Sequence, residues 1–220
     1  AQAPKTIEFK SSDPTTNQLI SNVYWTQRAN FIDVPTDCPQ RAERLGWTGD
    51  AQMYIRTASY VADIAAFFTK WIRDLNDAQL PTGAFPNFAP RMYYGEGPHA
   101  WADAGVICPW SIHLAYADKK ILAESYVPMT RWIEYCRANS DGLIRPMQQW
   151  GDWLSINSVT PREVIGTAYF AYSTGLVAQS AEILGKKAHA KKYHRLFEDI
   201  RAAFRKKFVS DDGRVEGNSQ

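Results

Sequence analysis

Glu43 stands between Asp37 and Asp50 in the run Asp37-Cys-Pro-Gln-Arg-Ala-Glu-Arg-Leu-Gly-Trp-Thr-Gly-Asp50. Three carboxylates, two arginines and a tryptophan fall here without helical or strand periodicity, so packing does not account for them. An isolated loop glutamate is ordinarily half of a surface ion pair. Several acids and an aromatic platform on one loop weaken that reading. Glycoside cleavage needs such a mixture: one carboxyl held protonated, others ionised to grip hydroxyls, and an aromatic wall against the sugar's apolar side. Neighbouring carboxylates would raise the pKa of the acid, while Arg41 would hold ionised partners in place. Trp47, Trp101, Trp150 and Trp153 also fall in loops. Loop tryptophans beside acids point to a surface that stacks on something flat and apolar.

Other motifs carry less. Gly95-Glu-Gly-Pro-His-Ala100 matches GxGxxA, but no strand precedes it, and Pro98 removes an amide that a phosphate would need. His189 and His194 are spaced off the i, i+4 face of a zinc pair, and Cys38, Cys108 and Cys136 have neither disulfide-framework nor CxxC spacing. No cofactor or metal is expected. The nine Lys and Arg residues from Lys186 to Lys207 alternate with an apolar stripe, which reads as a solvated helix face rather than a nucleic-acid site. No apolar run reaches the ~20 residues of a membrane span. The balance of 45% hydrophobic and 22% charged residues, with net charge +2, is that of a globular domain.

The elements that must position these residues are helices. Asp13-Pro14 opens the first, with Leu19, Ile20, Val23 and Tyr24 on one face, and it runs to about Ala29. Helical patterning resumes near Gly49 and Asp50 and breaks at Ser59-Tyr60. Val61, Ile64, Ala65, Phe68, Trp71, Ile72 and Leu75 then form a stripe of their own. Residues 76–102 read as a long irregular loop. Asp103 can cap a helix to about Ala117, and a turn at Asp118 leads into the next, with Ile121, Leu122, Met129, Trp132, Ile133 and Cys136 inward. After a second irregular stretch, Thr160-Pro161 supplies a cap and first-turn proline, and helices from Pro161 to Leu184 and from Lys187 to Phe208 meet at Gly185. The fold class is all-α: seven helices, with long connections at 30–48, 76–102 and 139–160 alternating with short ones near 59, 118 and 185. If consecutive helices are antiparallel, all long loops emerge at one end. Asp37, Arg41, Glu43, Trp47, Asp50, Trp101, Asp103, Trp150, Asp152 and Trp153 are thereby expected around one rim.

The run from Val34 to Gln52 resembles the signature of the bacterial α-L-rhamnosidases of glycoside hydrolase family 78. Similar segments flank it in order: Trp25 to Asn30 before it, and Ala65-Ala-Phe-Phe-Thr-Lys-Trp71, Trp101-Ala-Asp-Ala104 with Pro109-Trp110, and Gly151-Asp-Trp153 after it. The resemblance implies an (α/α)6 toroid of antiparallel helical hairpins, with about seven of twelve helices present in a single domain over residues 1–220. It implies inverting hydrolysis of terminal α-L-rhamnosides, with Glu43 as general acid. It also implies sugar binding by Asp37, Arg41 and Asp50, with aromatic walls from Trp47, Trp101 and Trp153; Asp103 and Asp152 lie inside matching motifs. Ala42 departs from the pattern, standing where many members have an acid.

A twelve-helix toroid needs roughly 350 residues. The resemblance also implies a general base C-terminal to this chain, with Gly217-Asn-Ser-Gln220 resembling the start of another inner helix. The expected partners are a rhamnose-containing carbohydrate and, on exposed apolar helix faces, the remaining helices or another chain. The isolated chain is expected to be inactive and unstable or self-associating. Periplasmic or extracellular placement is expected of an enzyme degrading plant or bacterial glycans, with a cytoplasmic one open. A toroidal glycosidase for another sugar and a non-catalytic sugar-binding helical domain are the alternatives.

Overall fold

A computed structural model of the chain describes residues 3–92, 95–147, 150–217 and 219. Among these, seven helices account for the regular structure: α1 Pro14–Asn30, α2 Thr48–Val61, α3 Ala65–Asp77, α4 Ala104–Tyr116, α5 Lys119–Ala138, α6 Arg162–Ile183 and α7 Lys187–Phe208. Extended pairing is limited to isolated bridges. The Gly217–Gln220 segment contains Asn218 and Gln220, which lie outside the described residues, so its expected helical start is not among these elements.

Helices α2, α4 and α6 lie side by side as one layer, and α3, α5 and α7 pack behind them. Sequence explains the layering. Helix α4 is apolar nearly all round, as a helix between two layers must be. Its Ala104, Gly105, Val106, Ile107, Cys108, Pro109 and Ile112 are buried. Helix α3 instead has one apolar stripe, and Phe68, Trp71, Ile72 and Leu75 are fully buried along it. Gly105 is required by packing: a Cβ there would lie 2.0 Å from the Phe85 ring. Gly105→Ala is expected to destabilise the fold by about 1–3 kcal/mol through overpacking, read as a fall in Tm.

Helix α1 begins as its sequence indicates, with Asp13 accepting from Thr15 N–H and Thr16 N–H at 3.0 Å each. Two other boundaries differ from expectation. The α2–α3 break falls at residues 62–64 rather than at Ser59-Tyr60. Ser59 stays helical, its hydroxyl bonding back to Arg56 C=O. The break is set by distant chain: Thr6 N–H reaches Val61 C=O, Pro4 C=O takes Asp63 N–H, and Tyr116 Oη takes Ile64 N–H at 2.9 Å. Thr160 does not cap α6, because its hydroxyl bonds Asp152 and Ser219 instead. Pro161 occupies the cap position.

The connections alternate in length. Residues 62–64, 117–118 and 184–186 are tight turns, whereas 31–47, 78–103 and 139–161 are long. Each tight turn reverses the chain, so the long loops share one end of the layers. That end carries the site.

Candidate active site

The acid-bearing loop is held at both ends. It closes on itself through Asp37 N–H to Leu45 C=O at 3.3 Å, and residues 46–48 are stitched to residues 87–89 of the second long loop. Ala89 N–H donates to Gly46 C=O, and Thr48 donates to Asn87 C=O from both backbone and hydroxyl. Gly46 is obligatory at this approach, since a Cβ would lie 2.5 Å from Ala89 O. The loop thus enters α2 at Trp47 with its side chains fixed against a neighbour.

Between the long loops lies a cavity of about 250 Å³, lined by Asp37, Arg41, Glu43, Trp47, Asp50, Trp101, Trp150 and Trp153. All three loops and the first turn of α2 contribute. Its volume lies just below the range of drug-sized pockets, a scale that suits one sugar ring. A larger, mainly apolar cavity of about 540 Å³ runs between α1 and α2 and shares only Asp37 and Asp50 with it. The smaller one holds Glu43, Arg41 and the tryptophans.

Inside it, Trp47 Nε1 donates to Glu43 Oε1 at 2.7 Å, and Arg41 pairs with Glu43 Oε2. The same guanidinium nitrogen is 3.6 Å from Asp37 Oδ2. Arg41 bridges both acids, yet its side chain is 57% exposed and can leave either. Asp50 is exposed and lines both cavities, yet the protein packed around it partly desolvates its carboxyl. That desolvation, reinforced by the charges of Asp37 and Glu43, raises its carboxyl above the usual range. Asp37 Oδ1 and Trp150 Nε1 are buried polar atoms without a hydrogen-bond partner among the described residues, so each is available to a bound hydroxyl.

The aromatic wall centres on Trp150. Its ring centroid is 6.0 Å from Trp47, 6.5 Å from Trp101 and 5.4 Å from Trp153. Trp150 is expected in the stacking surface of loop tryptophans, and the Trp-Gly-Asp-Trp spacing is its signal, although the resemblance does not place it among the aromatic walls. Trp101 lies close over Gly49, where a Cβ would come within 2.5 Å of its Nε1. Gly49→Ala is therefore expected to displace the Trp101 ring and raise the Kd for sugar, measured by titration calorimetry, by about tenfold.

Two expected site residues are elsewhere. Asp103 does not line the cavity and does not cap α4. It is buried, with Oδ2 accepting from Ala100 N–H at 2.9 Å and Oδ1 from Trp132 Nε1 and Ser173 Oγ at 3.0 and 2.6 Å. Three donors converge there from three parts of the chain, one of them the rim residue Ala100. Asp152 is exposed and accepts from Thr160 Oγ1 at 3.1 Å, holding its own loop rather than facing the acids.

A buried joint lies between the second and third long loops. Arg145 is fully buried, donating through Nη1 to Cys136 C=O and Asn139 C=O and through Nε to His99 Nδ1 at 3.4 Å. His99 Nε2 pairs with Pro146 C=O at 3.0 Å. These partners require the neutral ring with its proton on Nε2. Burial, and then the Arg145 charge, lower the His99 pKa to about 4. The joint ties the second long loop, which carries Trp101, to the third, which carries Trp150.

Residues 4–220 match the model of the bacterial α-L-rhamnosidase six-hairpin glycosidase domain. The chain belongs to that family. Two curated α-L-rhamnosidases illustrate the relationship. That of Streptomyces avermitilis is 47% identical over 99% of this chain, and one from Formosa agariphila is 38% identical over 94%. The chain spans 21% and 23% of their lengths. The crystal structure of the Streptomyces avermitilis enzyme complexed with L-rhamnose superposes with a TM-score of 0.95, covering 97% of this chain and 21% of that one. An α-L-rhamnosidase from Aspergillus terreus gives 0.91 at 30% identity, over 98% and 26% of the two chains. The described residues are thus an all-α part of a rhamnosidase six-hairpin domain. Among them no helix is long and apolar enough to cross a membrane, and no group of three His, Cys, Asp or Glu residues could hold a metal. Cys38, Cys108 and Cys136 are free thiols.

Proposed function

We propose that this rhamnosidase chain carries the acid half of an inverting site that removes terminal α-L-rhamnose from glycosides or polysaccharides. The observation that carries the reading is the small cavity in which three acids and an arginine face four tryptophans. Glu43 is the general acid. The Trp47 indole holds Oε1, so the catalytic proton belongs on Oε2, which Arg41 vacates when sugar enters. Proton transfer to the glycosidic oxygen then lets the C–O bond break toward an oxocarbenium-like transition state. Asp37, Arg41 and Asp50 hold the sugar hydroxyls, with Asp37 Oδ1 and Trp150 Nε1 gaining the partners they lack. Trp47, Trp101, Trp150 and Trp153 stack on the ring.

Inversion needs a second carboxylate about 6.5–9.5 Å away, with water between the two. In this reading Asp37 and Asp50 hold hydroxyls, and the base is assigned to a part of the longer protein beyond these residues, since the chain spans about a fifth of the relatives it matches. The test is hydrolysis of an aryl α-L-rhamnoside by the 220-residue chain and by the full-length protein. Turnover by the full-length protein alone is expected. Turnover by the short chain would place the base within it.

One observation favours a second assignment. The raised carboxyl of Asp50 suits a proton donor, whereas Glu43 Oε2 is occupied by the Arg41 guanidinium in the empty site. Comparing Asp50→Asn with Glu43→Gln on an activated aryl rhamnoside, whose leaving group needs little protonation, separates them: the variant that regains most activity there has lost the acid.

A further inference from the structure

Trp101 follows a backbone conformation that L residues rarely adopt: Ala100 has φ +64°. Ala100 is the third residue of a turn closed by Trp101 N–H to Pro98 C=O at 3.2 Å, a position where positive φ ordinarily selects glycine. Such strain persists only where the surroundings over-determine it. Here both backbone groups of Ala100 are gripped from the interior. Its N–H donates to Asp103 Oδ2 at 2.9 Å, and its carbonyl accepts from Gln52 Nε2. Asp103 is 1% exposed and Gln52 is 4%. The other Asp103 oxygen is fixed by Trp132 of α5 and Ser173 of α6, so the carboxylate cannot follow the turn if it relaxes.

We infer that Asp103 is a positioning residue for the sugar's aromatic wall: its buried carboxylate pins the left-handed Ala100 turn and thereby stands the Trp101 ring over the first turn of α2, beside Asp50. The inference rests on the reading of that cavity as a sugar pocket. Without the Oδ2 acceptor, Ala100 relaxes toward negative φ and carries the following residue with it. Trp101 then leaves Gly49, while Glu43 and its loop stay in place. Sugar affinity falls and the chemical step does not.

The experiment compares Asp103→Asn, Asp103→Asn with Ala100→Gly, and Ser173→Ala in the full-length protein. KM and kcat are measured on an aryl α-L-rhamnoside, together with the 19F NMR line of 5-fluorotryptophan at position 101, assigned through Trp101→Phe. Asparagine keeps one acceptor and turns an amide toward a donor, so Asp103→Asn is expected to raise KM about tenfold, leave kcat in place and shift the Trp101 line. Adding Ala100→Gly restores both, because glycine holds positive φ unaided. Ser173→Ala leaves Trp132 Nε1 on the same Asp103 oxygen, so it lowers Tm and moves KM and the Trp101 line less than Asp103→Asn does. A Tm loss in Asp103→Asn with KM and the Trp101 line unmoved overturns the inference, as does failure of Ala100→Gly to restore them. If Asp103→Asn does not fold, Gln52→Met, which frees only the Ala100 carbonyl, carries the same expectation. Absence of rhamnoside hydrolysis by the wild type would count against the functional reading, and the fluorine line would still decide the positioning role.

Discussion

Glu43→Gln in the full-length protein is expected to lower kcat on unactivated rhamnosides by about 10²–10⁴-fold, the usual worth of a positioned general acid. Sugar binding is expected to survive. Glutamine retains an oxygen to accept the 2.7 Å bond from Trp47 Nε1, so the aromatic wall keeps its support. The variant loses the titratable proton and the Arg41 ion pair. Titration calorimetry with L-rhamnose should therefore give a Kd close to that of the wild type, while hydrolysis nearly stops. Parallel loss of binding and turnover would assign Glu43 to holding the sugar. An unchanged kcat would remove it from the chemistry.

The second large effect concerns acid stability. His99 has a folded pKa of about 4 because it is buried beside Arg145, although Pro146 C=O and the Asp103 charge pull the other way. Unfolded, it titrates near 6.5. Between these values the unfolded chain binds a proton that the folded chain refuses, so stability rises with pH in that window. The contribution is fully present above the unfolded value and is lost as pH falls toward the folded one; over the whole interval it is about 3 kcal/mol. Asp50 acts with the opposite sign, since its raised carboxyl makes the folded state the stronger proton binder. The histidine slope is therefore best read above the carboxylate range, between about pH 5 and pH 7. Tm is expected to fall across that range on acidification, and less steeply in His99→Gln. Equal slopes would show that the unfolding equilibrium does not sense this ring.

The parts legible in sequence were those decided locally. Asp13-Pro14 and the α3 stripe from Phe68 to Leu75 follow from capping and periodicity, and both stand in the structure. The cavity was legible for a similar reason: Asp37, Arg41, Glu43, Trp47 and Asp50 come from one short segment, so they could only lie together. Distant decisions were not legible. The α2–α3 break depends on residues 4–6 and on Tyr116, and Ser59-Tyr60 only looked like a boundary. Asp103 precedes a helix and so resembles a cap, but Trp132 and Ser173, far along the chain, claim its carboxylate. Asp152 and Trp153 are sequence neighbours, yet only the tryptophan lines the cavity. Trp150, one residue before Gly151, was the better guide to the wall because three other rings meet it.

If this rim is the acid half of a rhamnoside-cleaving site, its acid works opposite a base on another part of the protein. Time-resolved 1H NMR of an aryl α-L-rhamnoside with the full-length protein tests it most directly. The account predicts that β-L-rhamnose appears first and mutarotates afterwards. Initial release of the α-anomer, or an intact rhamnoside beside a cleaved glycoside of another sugar, would contradict it.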